Sequence, residues 1–538
     1  MYAVRLTEAR FPAQADSEIL ESTIGGVLRS QVALTPDAPA LVEAPAAGGL
    51  GRRWTYAQLL ADAERLAQAL LTRYVPGERI CVWAPNLPEW VLLEFASGLA
   101  GLTLVTANPA YQPRELRYVL EQSGAVGLFM VQAFRGNPMG RIAAEVAADL
   151  PALREIVDLA DAETLFAGTG RGPSDLPEVQ AGDAAQIQYT SGTTGFPKGA
   201  VLTHRGLTNN ARLTFARGDI ARGATVLNFM PMFHTAGCAV MTLGAVQSGC
   251  RTILAGLFEP GNMNALIEAE RVDVILGVPT MLVALLESLA AHPRDTSSIS
   301  MVISGGSMVP PEVIRQVQQV YGCAFQTVYG QTETSPVLTQ TQADDTPADV
   351  LETVGQPLPQ TEIAILEPGG NRVRPVGAVG EICARGYGLM LGYNDNPAAT
   401  AAAIDPEGWL RTGDLGTMDA RGYVRVTGRV KEMIIRGGEN LFPAEIENVL
   451  LEHPDVAEVA VVGIPDPRWG EVVACFLRLA AGAALDREDL VRHCRSQLSA
   501  PKTPALWIAV DAWPLTGSGK IQKFVLRDRY MAGEWSAG

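Results

Sequence analysis

Tyr189-Thr190-Ser191-Gly192-Thr193-Thr194-Gly195-Phe196-Pro197-Lys198-Gly199 is a run of glycines, hydroxyl side chains and one lysine, set between apolar segments. Its chemistry suits a polyphosphate. Backbone N–H groups and the hydroxyls of Ser191, Thr193 and Thr194 donate, and Lys198 adds a compact point charge. Glycine lets the backbone come close to a ligand, and Pro197 stiffens the bend. A Walker A loop places its lysine directly after glycine, whereas Lys198 follows Phe196-Pro197, so this is a different phosphate loop. The alternative is a flexible surface turn, and the strand-like run on one side with apolar sequence on the other argues against that. Asp183–Tyr189 reads as a strand, which puts the loop at a strand end, where open α/β sheets bind ligands.

The pattern on either side of the loop agrees. Tyr56–Leu71 has apolar residues at helical spacing, and Arg79–Ala84 reads as a short buried strand. Val226–Met232, Val272–Val278, Met301–Ser304 and Phe325–Tyr329 read as strands, with helices over Pro279–Ala291 and Pro311–Tyr321. Leu282, Leu285, Leu286 and Leu289 share one helix face. Such β-α-β alternation implies parallel sheets covered by helices. Two strand ends carry Gly305-Gly306 and Gly330-Gln331-Thr332-Glu333. After about residue 350 the chain becomes β-rich, with turns at Pro368-Gly369-Gly370 and Asp419–Gly422. Past a break near Gly428–Lys431, a compact unit follows: helices at Ala444–Glu452 and Asp486–Leu498, and strands at Val456–Val462, Val472–Leu479 and Leu506–Val510. The expected class is α/β. A large N-terminal domain (1–428) has parallel helix-covered sheets and a β-rich subdomain, a hinge spans 429–432, and a small mobile α+β domain covers 433–538.

At 538 residues the chain needs two or three folding units. A net charge of −16 argues against nucleic acid and anionic membranes as partners, so a phosphate must be held by local groups. The seven cysteines have no paired spacing, which fits a reducing cytoplasm and gives no zinc site. The first residues lack the apolar core of a signal peptide, and no apolar run reaches a membrane span. A homodimer is allowed by this reading, as is a monomer. Lysine is nearly absent: only Lys198, Lys431, Lys502, Lys520 and Lys523 occur beside many arginines. A chain so biased keeps lysine where a planar guanidinium will not serve. Lys198, Lys431 and Lys520 stand in glycine-rich or turn-like contexts; Lys502 and Lys523 read as solvated surface.

The ordered motifs resemble the adenylate-forming superfamily of acyl-CoA synthetases, peptide-synthetase adenylation domains and luciferases, most of all the bacterial fatty acyl-CoA synthetases. They are Tyr189–Gly199, Met232-Phe233-His234, Ser304-Gly305-Gly306, Tyr329-Gly330-Gln331-Thr332-Glu333, Thr412-Gly413-Asp414-Leu415, Gly428-Arg429, Gly437-Gly438-Glu439-Asn440 and Gly517–Lys520. The first and fourth are the most specific, and the resemblance extends over residues 20 to 530.

The resemblance implies roles for matched residues. Thr190, Ser191, Gly192, Thr193, Thr194 and Lys198 would hold ATP phosphates, and Thr190 with Glu333 would hold Mg²⁺. Gly305 and Gly306 would lie beside the adenine base, Tyr329 would stack on it, and Gly330, Gln331 and Thr332 would also bind ATP or AMP. Asp414 would bind the ribose hydroxyls, and Arg429 the ribose and phosphate. His234 would line the acyl site, where amino-acid-activating relatives carry an aspartate. Lys520 would bridge the acid and the α-phosphate. After rotation about Lys431, Gly437-Gly438 would flank the path of coenzyme A. Taken singly, Glu333 also reads as a helix cap, Asp414 as an Asx-turn, Tyr329 as core and His234 as a core or capping residue.

The implied reaction joins a carboxylic acid, expected to be a medium- to long-chain fatty acid, to AMP and then to coenzyme A. The small side chains of Thr235-Ala236-Gly237-Cys238 suggest an apolar space for the acid. A ligase for an alicyclic or aryl acid, or a silent nucleotide-binding regulator, are the alternatives.

Overall fold

The computed structural model describes residues 2–168, 175–190, 197–436, 439–480, 482–516 and 520–535. Ser191, Gly192, Thr193, Thr194, Gly437 and Gly438, all assigned roles from sequence, lie outside them.

Two large sheets carry the first part of the chain. One has seven strands in the order Gly392–Tyr393, Lys198–Thr203, Ala184–Thr190, Thr103–Ala107, Arg79–Trp83, Gly127–Met130, Glu155–Asp158. Its interior is parallel, and the two strands flanking the phosphate-loop sequence, Ala184–Thr190 and Lys198–Thr203, pair antiparallel. The other has nine strands, with Ala324–Gly330, Met301–Gly305, Val274–Leu276 and Thr225–Asn228 as consecutive parallel neighbours. The expected parallel sheets are therefore mixed at their edges.

Local chemistry sets the helix limits. Thr55 and Gln58 form a reciprocal cap at the start of Tyr56–Leu71, which buries Leu59, Ala63, Leu66 and Leu70. Pro279 opens Pro279–Ala291 at a position where its missing N–H costs nothing. That helix buries Leu282, Leu285 and Leu289, each contributing about 1.5–3 kcal/mol of transfer free energy. Helix Pro88–Ala100 is buried on nearly all sides, with only Glu89 outside, as expected of a helix inside the core and not on its surface.

A third, antiparallel sheet runs in the order Arg10–Phe11, Thr361–Leu366, Gly380–Gly386, Leu410–Met418, Val424–Arg429. A fourth holds Glu439–Leu441, Ile434–Arg436, Gly470–Leu479 and Val456–Asp466, and Leu506–Ala509 joins it in parallel. Helices Pro443–Leu451, Arg487–Gln497 and Lys523–Met531 accompany that sheet. Among the described residues, no helix is long and apolar enough to cross a membrane.

Candidate active site

Strands Met301–Gly305 and Ala324–Gly330 lie side by side and end together, bringing Gly305-Gly306 beside Tyr329-Gly330. A Cβ on Gly305 would sit 2.3 Å from the Val328 carbonyl oxygen, and one on Gly330 would sit 1.9 Å from that of Pro336. No side chain fits at either point, so glycine lets the neighbouring backbones pack directly against each other there.

The antiparallel sheet supplies the next wall. Asp414 and Arg429 are direct partners across adjacent strands. Arg429 Nε donates to Asp414 Oδ1 at 3.1 Å, and the Tyr329 hydroxyl donates to Oδ2 at 2.9 Å. Burial raises the Asp414 carboxyl above its usual range, and Arg429 and Tyr329 pull it back. The Asp414 N–H donates to Thr412 Oγ1 at 3.1 Å, so the threonine makes the turn contact and the carboxylate is left to Arg429 and Tyr329. This separates Asp414 from the Asx-turn reading. The Tyr329 hydroxyl is committed to Asp414, a link between two motifs that the sequence did not suggest.

Glu333 follows on a short 3-10 turn, Thr332–Thr334. The turn is capped by its neighbours: the Gln331 N–H donates to Thr334 Oγ1 at 3.2 Å. The Glu333 side chain takes no part in that cap, and its Oε1 accepts from the Tyr393 hydroxyl at 2.7 Å. The Lys198 ammonium lies 4.8 Å from the centroid of the Tyr393 ring. Thr190, opposite Lys198 across the antiparallel pair, makes a long 3.4 Å contact from Oγ1 to the Lys198 carbonyl among the described residues. A buried carboxylate and a weakly engaged hydroxyl form a hard-oxygen donor set, which fits Mg²⁺.

His234 precedes a π-helix, Ala236–Leu243, a form that recurs near functional sites. Its Nδ1 accepts the Ala236 N–H at 3.2 Å, so the proton of the neutral ring sits on Nε2. Burial, reinforced by the Lys520 charge, pushes its pKa down to about 3. The ring is therefore neutral at physiological pH, bonded to the first residue of the helix and within electrostatic reach of the lysine.

Lys520 completes the cluster. Its stem passes over Gly306, where a Cβ would lie 3.5 Å from Lys520 Cε and 3.8 Å from Nζ. The Thr516 N–H donates to the Lys520 carbonyl, the Lys520 N–H donates to Thr516 Oγ1, and a bridge between Leu515 and Ile521 helps hold the segment. Burial, with Arg429 nearby, lowers the ammonium to about 8 against the pull of Asp414 and Glu333. A lysine from the far end of the chain thus stands among His234, Glu333, Asp414 and Arg429.

The AMP-binding enzyme family model matches residues 28–394, and the model of its C-terminal domain matches 445–520. The chain belongs to the AMP-binding enzyme family. A Bacillus subtilis protein named as an acyl-CoA synthetase, YngI, is 36% identical over 541 residues, covering 95% of this chain and 98% of that one. The human mitochondrial medium-chain acyl-CoA ligase ACSF2 is 34% identical, covering 94% of this chain and 87% of its own. The B. subtilis o-succinylbenzoate-CoA synthetase MenE, solved with its acyl-adenylate intermediate, has a TM-score of 0.81 at 28% identity, covering 95% of this chain and 99% of that one. This AMP-binding enzyme is an AMP-forming acid–CoA ligase, with ATP and coenzyme A as substrates.

Two sequence expectations for this AMP-binding enzyme need correction. Lys523 is not solvated surface: its ammonium lies 2.7 Å from Glu447 Oε1 and 3.4 Å from Glu432 Oε2. Lys502 does lie at the surface, in a partly exposed ion pair with Glu445 at 2.5 Å. The small residues from Thr235 to Cys238 do not open a space. A Cβ on Gly237 would sit 2.3 Å from the Pro231 carbonyl oxygen, and Cys238 is fully buried with Sγ 3.1 Å from Gln188 Nε2. Their size lets the π-helix pack closely on a polar layer in which Gln186 Nε2 donates to Glu94 Oε1 at 2.8 Å. Tyr393 is the site residue that sequence reasoning missed. It carries no motif of its own, and only the pairing of its strand with Lys198–Thr203 brings it in.

Proposed function

We propose that this enzyme activates an apolar carboxylic acid without an α-amino group, a fatty acid of medium to long chain, as its acyl-adenylate and passes it to coenzyme A. The observation that carries the adenylation step is Lys520, a buried ammonium short of counter-charge, beside Asp414, Glu333 and His234. An acid carboxylate and an α-phosphate are the anions such a group would hold.

In the first step a carboxylate oxygen of the acid attacks the α-phosphorus of ATP, and pyrophosphate leaves. Lys520 holds both anions together, and Arg429 and Asp414 fix the ribose side. Glu333 and Thr190 would hold Mg²⁺, which when bound neutralises phosphate charge. In the second step the coenzyme A sulfur attacks the acyl carbon, and AMP leaves with the electrons of the broken acyl–phosphate bond. The domain carrying Lys520 turns about Lys431 between the steps, replacing the lysine with Gly437-Gly438. Neither step needs a protein nucleophile, so positioning and charge stabilisation do the work.

Two observations support the acid class. His234 is neutral and offers no negative partner for a substrate ammonium, which would cost several kcal/mol to bury unpaired. The relative named as a medium-chain acyl-CoA ligase matches nearly the whole chain. Acid-dependent exchange of pyrophosphate into ATP, followed over straight-chain acids, benzoate, cyclohexane carboxylate and amino acids, tests the reading. An aryl acid such as the MenE substrate, preferred over every straight-chain acid, would replace it.

A further inference from the structure

One side chain that the two steps above leave unused joins Glu333 to the far side of the phosphate-binding segment. Tyr393 lies on the edge strand Gly392–Tyr393, antiparallel to Lys198–Thr203 and opposite Ala200. Its backbone is fixed from both sides. The Tyr393 N–H donates to Thr400 Oγ1 at 2.9 Å, and the next N–H, of Asn394, donates to the Gly199 carbonyl at 2.7 Å. From this anchored strand the phenol donates to Glu333 Oε1 at 2.7 Å. A phenol is protonated near neutral pH, so it donates to the carboxylate. The ring face meanwhile receives the Lys198 ammonium at 4.8 Å, inside the range of a cation–π attraction.

The two partners come from different parts of the chain. Lys198 leaves the glycine- and hydroxyl-rich segment at the head of its strand, whereas Glu333 sits on the turn after Ala324–Gly330. The tyrosine hydroxyl occupies one carboxylate oxygen, which orients the other. Its ring gives the lysine stem a fixed resting place instead of free rotation, and ordering such a side chain in advance saves the entropy of doing so on binding.

We propose that Tyr393 is a positioning residue for nucleotide binding: its hydroxyl aims Glu333, and its ring seats Lys198. The proposal rests on the reading in which Glu333 serves Mg-ATP and Lys198 the phosphates. It assigns separable tasks to two parts of one side chain, so two substitutions divide them. Tyr393→Phe keeps the ring and removes the hydroxyl. Tyr393→Leu removes both.

The test uses the full chain. The Mg²⁺ concentration for half-maximal acid-dependent pyrophosphate exchange is measured for wild type, Tyr393→Phe, Glu333→Gln and the double variant. Calorimetric titration with ATP at saturating Mg²⁺, without acid, gives affinity in the absence of turnover. Tyr393→Phe should raise the Mg²⁺ requirement on the order of tenfold, the effect of losing one hydrogen bond to a charged group. Its melting temperature should match wild type. The double variant should require no more Mg²⁺ than Glu333→Gln alone, because the hydroxyl acts through that carboxylate. Tyr393→Leu should further weaken ATP binding at saturating Mg²⁺ by roughly threefold, the scale of a partly exposed cation–π contact. An unchanged requirement in Tyr393→Phe beside a defective Glu333→Gln would overturn the tyrosine link alone. An unchanged requirement in Glu333→Gln would overturn the link and the reading of Glu333 beneath it. Additive losses in the double variant, or a drop in melting temperature that accounts for the lost activity, would show a structural role instead.

Discussion

Replacing Lys520 by methionine keeps most of the stem and removes the charge, and the structure sets opposite signs for its effects on activity and stability. The ammonium falls from the ordinary 10.5 to about 8 on burial. At about 1.4 kcal/mol per pKa unit, the site resists the charged form by roughly 3 kcal/mol before any substrate arrives. That deficit is what an anionic acid and an α-phosphate would relieve. Losing a preorganised group aimed at developing charge costs about 2–4 kcal/mol of transition-state stabilisation, roughly 30- to 1,000-fold in kcat/KM. Lys520→Met should show that loss in acid-dependent pyrophosphate exchange. Thioester formation from preformed acyl-adenylate and coenzyme A should stay near the wild-type rate, because in the proposed mechanism that step uses the other domain pose. The melting temperature at pH 7 should not fall and should rise by a few degrees, since the unfavourable buried charge is gone. Equal losses in both half-reactions, or a clear drop in melting temperature, would show that Lys520 supports the fold and not the first step.

The same ammonium predicts a pH dependence. Exchange should decline as pH rises through about 8, whereas stability should increase between about 8 and 10.5, because there the unfolded chain binds the proton that the folded site releases. A pH series of kcat/KM beside chemical denaturation checks both signs, and a basic limb unchanged in Lys520→Arg would assign it to another group. Gly437→Trp should block thioester formation and spare exchange. Gly437 lies outside the described residues, and this expectation rests on the adjacent glycines that follow the hinge sequence. Loss of both half-reactions would mean that the glycines serve a turn needed in each pose.

Elements with local punctuation were legible from sequence. Tyr56–Leu71, Pro279–Ala291 and Pro311–Tyr321 have the expected limits because a Thr-Gln cap, a proline or a closing glycine marks them. Motif residues at the ends of parallel strands were found for the same reason, since Gly305, Gly330 and Glu333 follow apolar runs that stop abruptly. What escaped depends on pairing between distant segments. Nothing near Tyr393 names Glu333 as its partner, and nothing near Tyr329 names Asp414. Lys523 was misread because its partners, Glu432 and Glu447, come from the hinge turn and a separate helix. The small residues after His234 were misread because small size allows either a void or close packing, and only the Pro231 backbone decides between them.

The most direct test of the central claim is pyrophosphate exchange into ATP by the unaltered chain, with and without each acid of the panel. The account predicts no exchange without acid and none with amino acids. It predicts exchange with straight-chain acids that strengthens with chain length, each methylene that becomes buried adding about 0.8 kcal/mol. Exchange that ignores the acid, or that favours an amino acid while passing over every straight-chain acid, would contradict it.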